Sequence, residues 1–432
     1  MNAAATQRLY VPELRPNPAP LWAVYALMLC VFFAIAGFGG VYSYIWAPTT
    51  IALIFFVLVL AWQKTVHHAN WTWHPIYLPM LAYAGLILWQ WASRHTAYPG
   101  NTLTGLVQLA ACGAAFFLAL NSLTQPRAMR HLCLGLWIFT GLLSLEALLQ
   151  LSTARGYIYW FHNATYASPM GPYVYHNHYA GCLDLLFPLA IAGSLGWRPR
   201  QRGWEIWTLR ALIPLIAFAS LVACNSRGGV LIFAFEALLF LLLVGRELRK
   251  YRHFVLSSLV LLVLIGGIAN FSPLYHHLEL LGNRRTSYSD RLRVTEDCLH
   301  IFAQHFWSGT GFNTFAVVYP AYQSKDNGQL WLFAHNDYAQ MLAETGFAGL
   351  VCVAAFLLFW ILAGWRIFRM PAKSPQRPFQ LAAWIAGSGF LAYSIGDFQF
   401  HAPANALLFF LIAGMVFAQV SAPKNMHLAG QP

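Results

Sequence analysis

Residues 345–364 read TGFAGLVCVAAFLLFWILAG, 20 consecutive positions without a charged side chain. At 1.5 Å per residue this is about 30 Å of helix, the thickness of the hydrocarbon core of a bilayer. Such a run reads as a membrane-spanning helix. Comparable runs lie near 21–38, 43–62, 75–92, 102–121, 131–151, 176–195, 207–223, 228–245, 253–271, 335–364, 379–395 and 402–420. The expected fold class is therefore all-α: a polytopic membrane protein of about 12 transmembrane helices. One long outer loop, 272–334, has room for short surface helices.

Composition agrees. Of 432 residues, 59% are hydrophobic and 9% charged, and the mean hydropathy is +0.53. A soluble domain carries roughly a quarter charged residues, so most of this surface is expected to face lipid. The net charge of +12 does not mark a nucleic-acid binder, because the basic residues sit in short clusters between apolar runs, as orientation signals do. The seven cysteines contain no C-x-x-C pair; six lie in or beside apolar runs, and Cys298 stands alone in the long loop. Neither a disulfide framework nor a zinc site is expected. The first run ends in Ala34-Ile35-Ala36, which resembles a signal-peptidase site, but its apolar stretch is long and is expected to stay uncleaved.

Orientation follows from counting. If the N-terminus is cytoplasmic and the runs alternate, 18 of the 26 Lys and Arg residues fall in inner segments and 8 in outer ones. That obeys the positive-inside rule and predicts a multi-pass protein with both termini cytoplasmic.

An outer arginine then calls for a reason. Arg227 lies in Asn225-Ser226-Arg227-Gly228-Gly229, where a new span begins and its positive dipole end points outward. This makes an anion site, although an Arg snorkelling to lipid phosphates fits equally. Arg291 and Arg293 fall in the first turn of a helix expected to be capped by Ser289-Asp290, with Leu292, Cys298, Leu299 and Phe302 on one side. Arg284 and Arg285 precede them. Each alone reads as solvated loop; together they suit a phosphate or pyrophosphate, which Arg binds bidentately.

A second feature is Ala334-His335-Asn336-Asp337-Tyr338-Ala339-Gln340, continuing to Glu344-Thr345-Gly346 and Gly349. Asp337, Gln340 and Glu344 share one helix face. His335 at the membrane interface supplies an imidazole able to take a proton near neutral pH, or simply a helix-start side chain. A third cluster, Tyr173, Tyr175, His176, Asn177, His178 and Tyr179, suits a sugar or an interfacial aromatic belt, and the belt does not account for His-Asn-His. Arg155, Asp397 and His401 are further candidates for contacting or orienting a substrate. Glu146, Asp184 and Glu236 lie within spans and are expected to face other helices in hydrogen-bonding roles. No D-x-D, Walker loop or Rossmann glycine pattern occurs, so neither ATP nor a nucleotide-sugar is expected at the outer site.

Several segments resemble the O-antigen ligase family, within the O-antigen ligase and polymerase superfamily. They are Asn225-Ser226-Arg227-Gly228-Gly229, Arg291 opening a helix, Gly309-Thr310-Gly311-Phe312 with Tyr319-Pro320, and His335-Asn336-Asp337 through Glu344-Thr345-Gly346 and Gly349. Asn177-His178-Tyr179-Ala180-Gly181 and the stretch from Asp397 to Pro403 look like family segments too. The likeness covers about 175–420, with the long periplasmic loop 272–334 inside it. Residues 1–174 hold the first five helices and add only a matching topology, and 421–432 is a cytoplasmic tail.

The resemblance implies a metal-independent, cofactor-free, inverting glycosyltransferase of the membrane-embedded C type, in the bacterial inner membrane. Such enzymes move a glycan from undecaprenyl pyrophosphate to an acceptor hydroxyl on the periplasmic side. Carried over by position, His335 would be the general base, and Arg227, Arg291 and Arg293 would hold the pyrophosphate. The implied partners are the lipid-linked glycan, a lipid A-core acceptor and membrane lipids, with no nucleic acid. Asn-His-Tyr and Asp-Phe segments like those here also occur in members acting in exopolysaccharide synthesis. That leaves a polymerase or a pilin O-oligosaccharyltransferase beside the ligase. A transporter or flippase, with Glu146, Asp184 and Glu236 as an ion path, is the alternative from another class; against it stand the outer arginines and the lack of paired broken helices.

Overall fold

The computed structural model describes residues 20–164, 168–196, 204–244, 264–268, 288–325, 328–372 and 374–419. Apart from 264–268, the predicted run at 253–271 lies outside the described residues, as do Arg284 and Arg285. Each of the other predicted runs coincides with a helix.

The helices are α1 (Leu21–Ala36), α2 (Ser43–Val66), α3 (Tyr77–Ala92), α4 (Pro99–Ser122), α5 (Pro126–Thr153), α6 (His176–Gly196), α7 (Trp204–Ala223) and α8 (Arg227–Val244). After them come α9 (Tyr288–Gln304), the single turn α10 (Phe315–Val318), α11 (Asp337–Arg369), α12 (Arg377–Tyr393) and α13 (Pro403–Phe417). Proline opens α4, α5 and α13, where its missing N–H costs nothing. A short antiparallel hairpin, β1 (Tyr157–Ile158) with β2 (His162–Asn163), follows α5.

Among the described residues, four helices are long and apolar enough to cross a membrane: α2, α4, α5 and α11. Their outward faces carry Ile51, Leu58, Leu142 and Ile361, each more than 60% exposed. Water would not tolerate such a surface, and lipid does. This is a membrane protein. α6, α12 and α13 form the centre: almost every residue from Tyr179 to Ala190 and from Ala404 to Phe417 is buried, and one continuous apolar core runs through them. A second, smaller core of Val294, Cys298, Ile301, Phe315, Tyr319, Trp331, Ala339 and Ala343 packs the long loop onto the start of α11.

Two expectations need correcting. α9 begins at Tyr288, and it buries Val294, Asp297, Cys298 and Ile301; Leu292 and Leu299 are exposed. The reason is the second core, which the helix faces and which is built by residues distant in sequence. Arg210, one of the 18 basic residues counted above with the inner segments, lies inside α7 and is buried.

α11 is broken at Gly346, which takes φ 62° and ψ −157°, a backbone open only to glycine. The gap is filled by the Phe306–Gly311 strap. Thr310 and Gly311 donate their N–H groups to the carbonyls of Ala343 and Glu344, and Phe347 and Ala348 donate to Phe306 and Trp307. The freed helix groups are thus paired again inside protein, as they must be at this depth. A Cβ on Gly346 would come within 2.6 Å of the Gly309 and Ser308 nitrogens.

Candidate functional site

The starts of α6, α8 and α11, the 394–402 turn and Arg291 of α9 meet at one end of the bundle. Ser226 caps α8, its Oγ accepting from Gly229 N at 3.2 Å. That hydroxyl also donates to Asn177 Oδ1 at 2.8 Å and lies 2.7 Å from the Tyr393 hydroxyl. Gly228 permits the approach, because a Cβ there would collide with the Tyr393 ring. Asn177 Nδ2 donates to Asp397 Oδ2 at 2.6 Å and to the Tyr175 hydroxyl at 2.8 Å.

Asp397 is fully buried, and its Oδ1 lies 3.3 Å from His335 Nδ1. The pair sits at ion-pair distance without hydrogen-bond alignment. Burial would raise the Asp397 carboxyl; His335 foremost, then Arg291 and His178, outweigh it and hold the group down at about 2. His335 has a positive φ of 54°, and Trp331 and Phe398 meet its ring edge-on at 5.7 and 4.6 Å. His335 does not cap α11: the cap is Asn336, whose Oδ1 accepts from Ala339 N at 3.1 Å. His335 Nε2 makes no hydrogen bond among the described residues and is available to a substrate.

Asp337, Gln340 and His401 form a different network. His401 Nδ1 donates to Asp337 Oδ1 at 2.7 Å, and Gln340 Nε2 reaches His401 Nε2 and Glu344 Oε1, both at 3.0 Å. Glu344 in turn accepts from the backbone of Asn313 and Phe315. Both His401 nitrogens are therefore engaged, and the group ties the loop to α11.

Arg291 reaches Gly396 O at 3.4 Å and the Tyr175 hydroxyl at 3.5 Å, which places it beside Asp397. Arg227 is exposed at the start of α8, one residue from Ser226. Arg293 pairs with Asp290 of its own helix at 3.6 Å. Arg155, at a positive φ between α5 and β1, has no hydrogen bond or ion pair to the cluster among the described residues. His176 stacks on Tyr175 at 5.1 Å. His178 is buried against Tyr175 and Phe398, and its Nε2 has no hydrogen-bond partner among the described residues. Tyr393 escapes sequence reasoning, since it ends an apolar run, and Phe398 is noticed there only as part of the Asp397 to Pro403 stretch. Asp184 and Glu236 are buried as expected, but the carboxyl oxygens of Glu146, Asp184 and Glu236 have no hydrogen-bond partner among the described residues, so the hydrogen-bonding role does not hold.

Residues 211–354 match the family model for O-antigen ligase. That stretch is an O-antigen ligase-family domain. It contains Arg227, Arg291, Arg293, His335, Asp337 and Gln340 and ends inside α11. Asn177, Asp397 and His401 lie outside the matched O-antigen ligase stretch and are brought to it by folding. The family is one of glycosyltransferase-type enzymes, which work on polysaccharide and lipid substrates. No curated protein matches the chain.

Proposed function

We propose that this protein joins O-antigen to lipid A-core, transferring the glycan from undecaprenyl pyrophosphate at the periplasmic face of the bacterial inner membrane. The observation that carries the reading is His335, held beside buried Asp397 with its Nε2 open, next to Arg291. Asp397 orients the imidazole through Nδ1, so Nε2 takes the proton of the acceptor hydroxyl. The hydroxyl oxygen forms a bond to the anomeric carbon as that carbon's bond to the phosphate oxygen breaks. The electron pair leaves with undecaprenyl pyrophosphate, and the anomeric configuration inverts. Arg227 and Arg291 stabilise the charge that grows on the leaving group, a term usually the largest in such catalysis. No metal takes part. In this reading about 12 spans cross the membrane and 272–334 lies in the periplasm.

The test is the purified full-length protein with lipid-linked O-antigen and lipid A-core, read as a mobility shift on a gel. A ladder on lipid A-core is expected. Extension of the lipid-linked glycan alone would replace the ligase with a polymerase.

A further inference from the structure

A cavity of about 610 Å³ opens among α2, α3, α4, α11 and α13. It touches Asp337 and His401 but none of Arg227, Arg291, Asn177 or Asp397, so it approaches the start of α11 from another side than the His335 cluster. Most of its wall is apolar, including Val57, Leu109, Met341, Phe356 and Leu407. Polar groups gather towards one end, where Asn313, Glu344, Asp337 and His401 meet, with Gln108 one turn into α4 beyond Gly105, which abuts Phe312 and Asn313.

No Lys or Arg lines this cavity among the described residues, whereas two carboxyl groups do. Those carboxyls are already engaged, Asp337 by His401 and Phe400 N, and Glu344 by Gln340, Asn313 N and Phe315 N. Gln108 makes no hydrogen bond among the described residues, although its amide stands in an apolar helix. From Glu344 to Leu357 the wall runs about 20 Å along α11, about two-thirds of the hydrocarbon core and enough for the chain of one leaflet.

We propose that this cavity is a lipid site for a single hydrocarbon chain bearing an uncharged, hydroxyl- or ester-containing head, which Gln108 binds. An anionic head would meet two carboxyl groups, one of them already taken up by His401, with no Lys or Arg to receive it, and an unpaired amide at this depth gains most from a neutral donor and acceptor. The site is distinct from one for a pyrophosphate, and it stands whether or not glycan transfer takes place.

The full-length protein in nanodiscs is photolabelled with a monoacylglycerol carrying a diazirine on its chain, and labelled peptides are mapped. A lysophosphatidylglycerol with the same chain is the anionic comparison. Labelling is expected on Met341 and Leu407, competed by unlabelled monoacylglycerol, and about tenfold weaker with the anionic probe. Gly113 lines the cavity and a Cβ there meets nothing within 4 Å, so the side chain of Gly113→Leu starts into open space and takes up room in the cavity; labelling should fall about tenfold. Gly85→Leu, equally unobstructed but outside the cavity, should leave it unchanged. Gln108→Leu should remove the preference for the neutral head. Equal labelling by both probes, absence of competition on the wild-type chain, or labelling indifferent to Gly113→Leu would each overturn the proposal. A mobility-shift assay without product would sink the transfer reading and leave these outcomes untouched.

Discussion

His335 adopts a left-handed backbone that few non-glycine residues take, and the turn aims its ring at Asp397 rather than along the helix that starts two residues later. His335→Ala should lower transfer roughly 10²- to 10⁴-fold, the worth of a positioned base, while donor binding stays near normal. Near wild-type product formation in that variant would remove His335 from the chemistry. Arg227→Ala and Arg291→Ala should each weaken donor use about ten- to a hundredfold, and Lys should not restore it, because it lacks the bidentate fork. Donor kinetics resolved for each variant check this; unchanged values would return both arginines to lipid contact. Asp397 also makes an acid-stability prediction. Its carboxyl is lower in the folded chain than in the unfolded one, so its contribution is complete above about pH 4 and disappears as pH falls through about 2. Melting curves over that window should show a loss on the order of 2 kcal/mol in the wild type. Asp397→Asn should flatten it.

At the scale of elements, the break in α11 is what allows one helix to serve both as a span and as a platform for the loop. The strap through Gly346 satisfies four backbone groups on the helix side of the break. Gly346→Ala adds a forbidden backbone region to a collision with Gly309 and Ser308, and should destabilise the protein by about 2–4 kcal/mol. Hydrogen exchange is the measurement: the amides of Thr310, Gly311, Phe347 and Ala348 should lose protection before those of α6 or α13. Uniform loss across the bundle would mean that the strap is no separate unit.

For the molecule as a whole, orientation decides whether the His335 cluster faces the periplasm. With the termini inside, a cysteine at Ser324 should react with an impermeant reagent in spheroplasts and one at Ser374 should not. The background is quiet, since six of the seven native cysteines are buried and Cys352 is half-buried in α11. The opposite pattern would reverse the topology and end the proposed periplasmic site.

What the sequence determined by itself was everything that depends on near neighbours. Apolar runs set the helices because an unpaired backbone has no place in lipid, and the spacing of Asp337, Gln340 and Glu344 put them on one face, where they do form a hydrogen-bonded row with His401. The candidate site was legible as parts: His335, Arg227, Arg291, Asn177 and Asp397 each stood out as polar residues with no reason to sit at the edge of an apolar run. Only the tertiary structure decided which parts pair. His335 and Asp397 are 62 positions apart, and Asn177 and Asp397 are 220 apart. Nothing in local periodicity selects Asp397 over Asp337 as the partner of His335, nor brings Arg291 rather than Arg293 to Gly396 and Tyr175. Those choices follow from a left-handed turn at His335, a helix broken at Gly346 and a second core that rotates α9, and each is fixed by contacts between segments far apart along the chain.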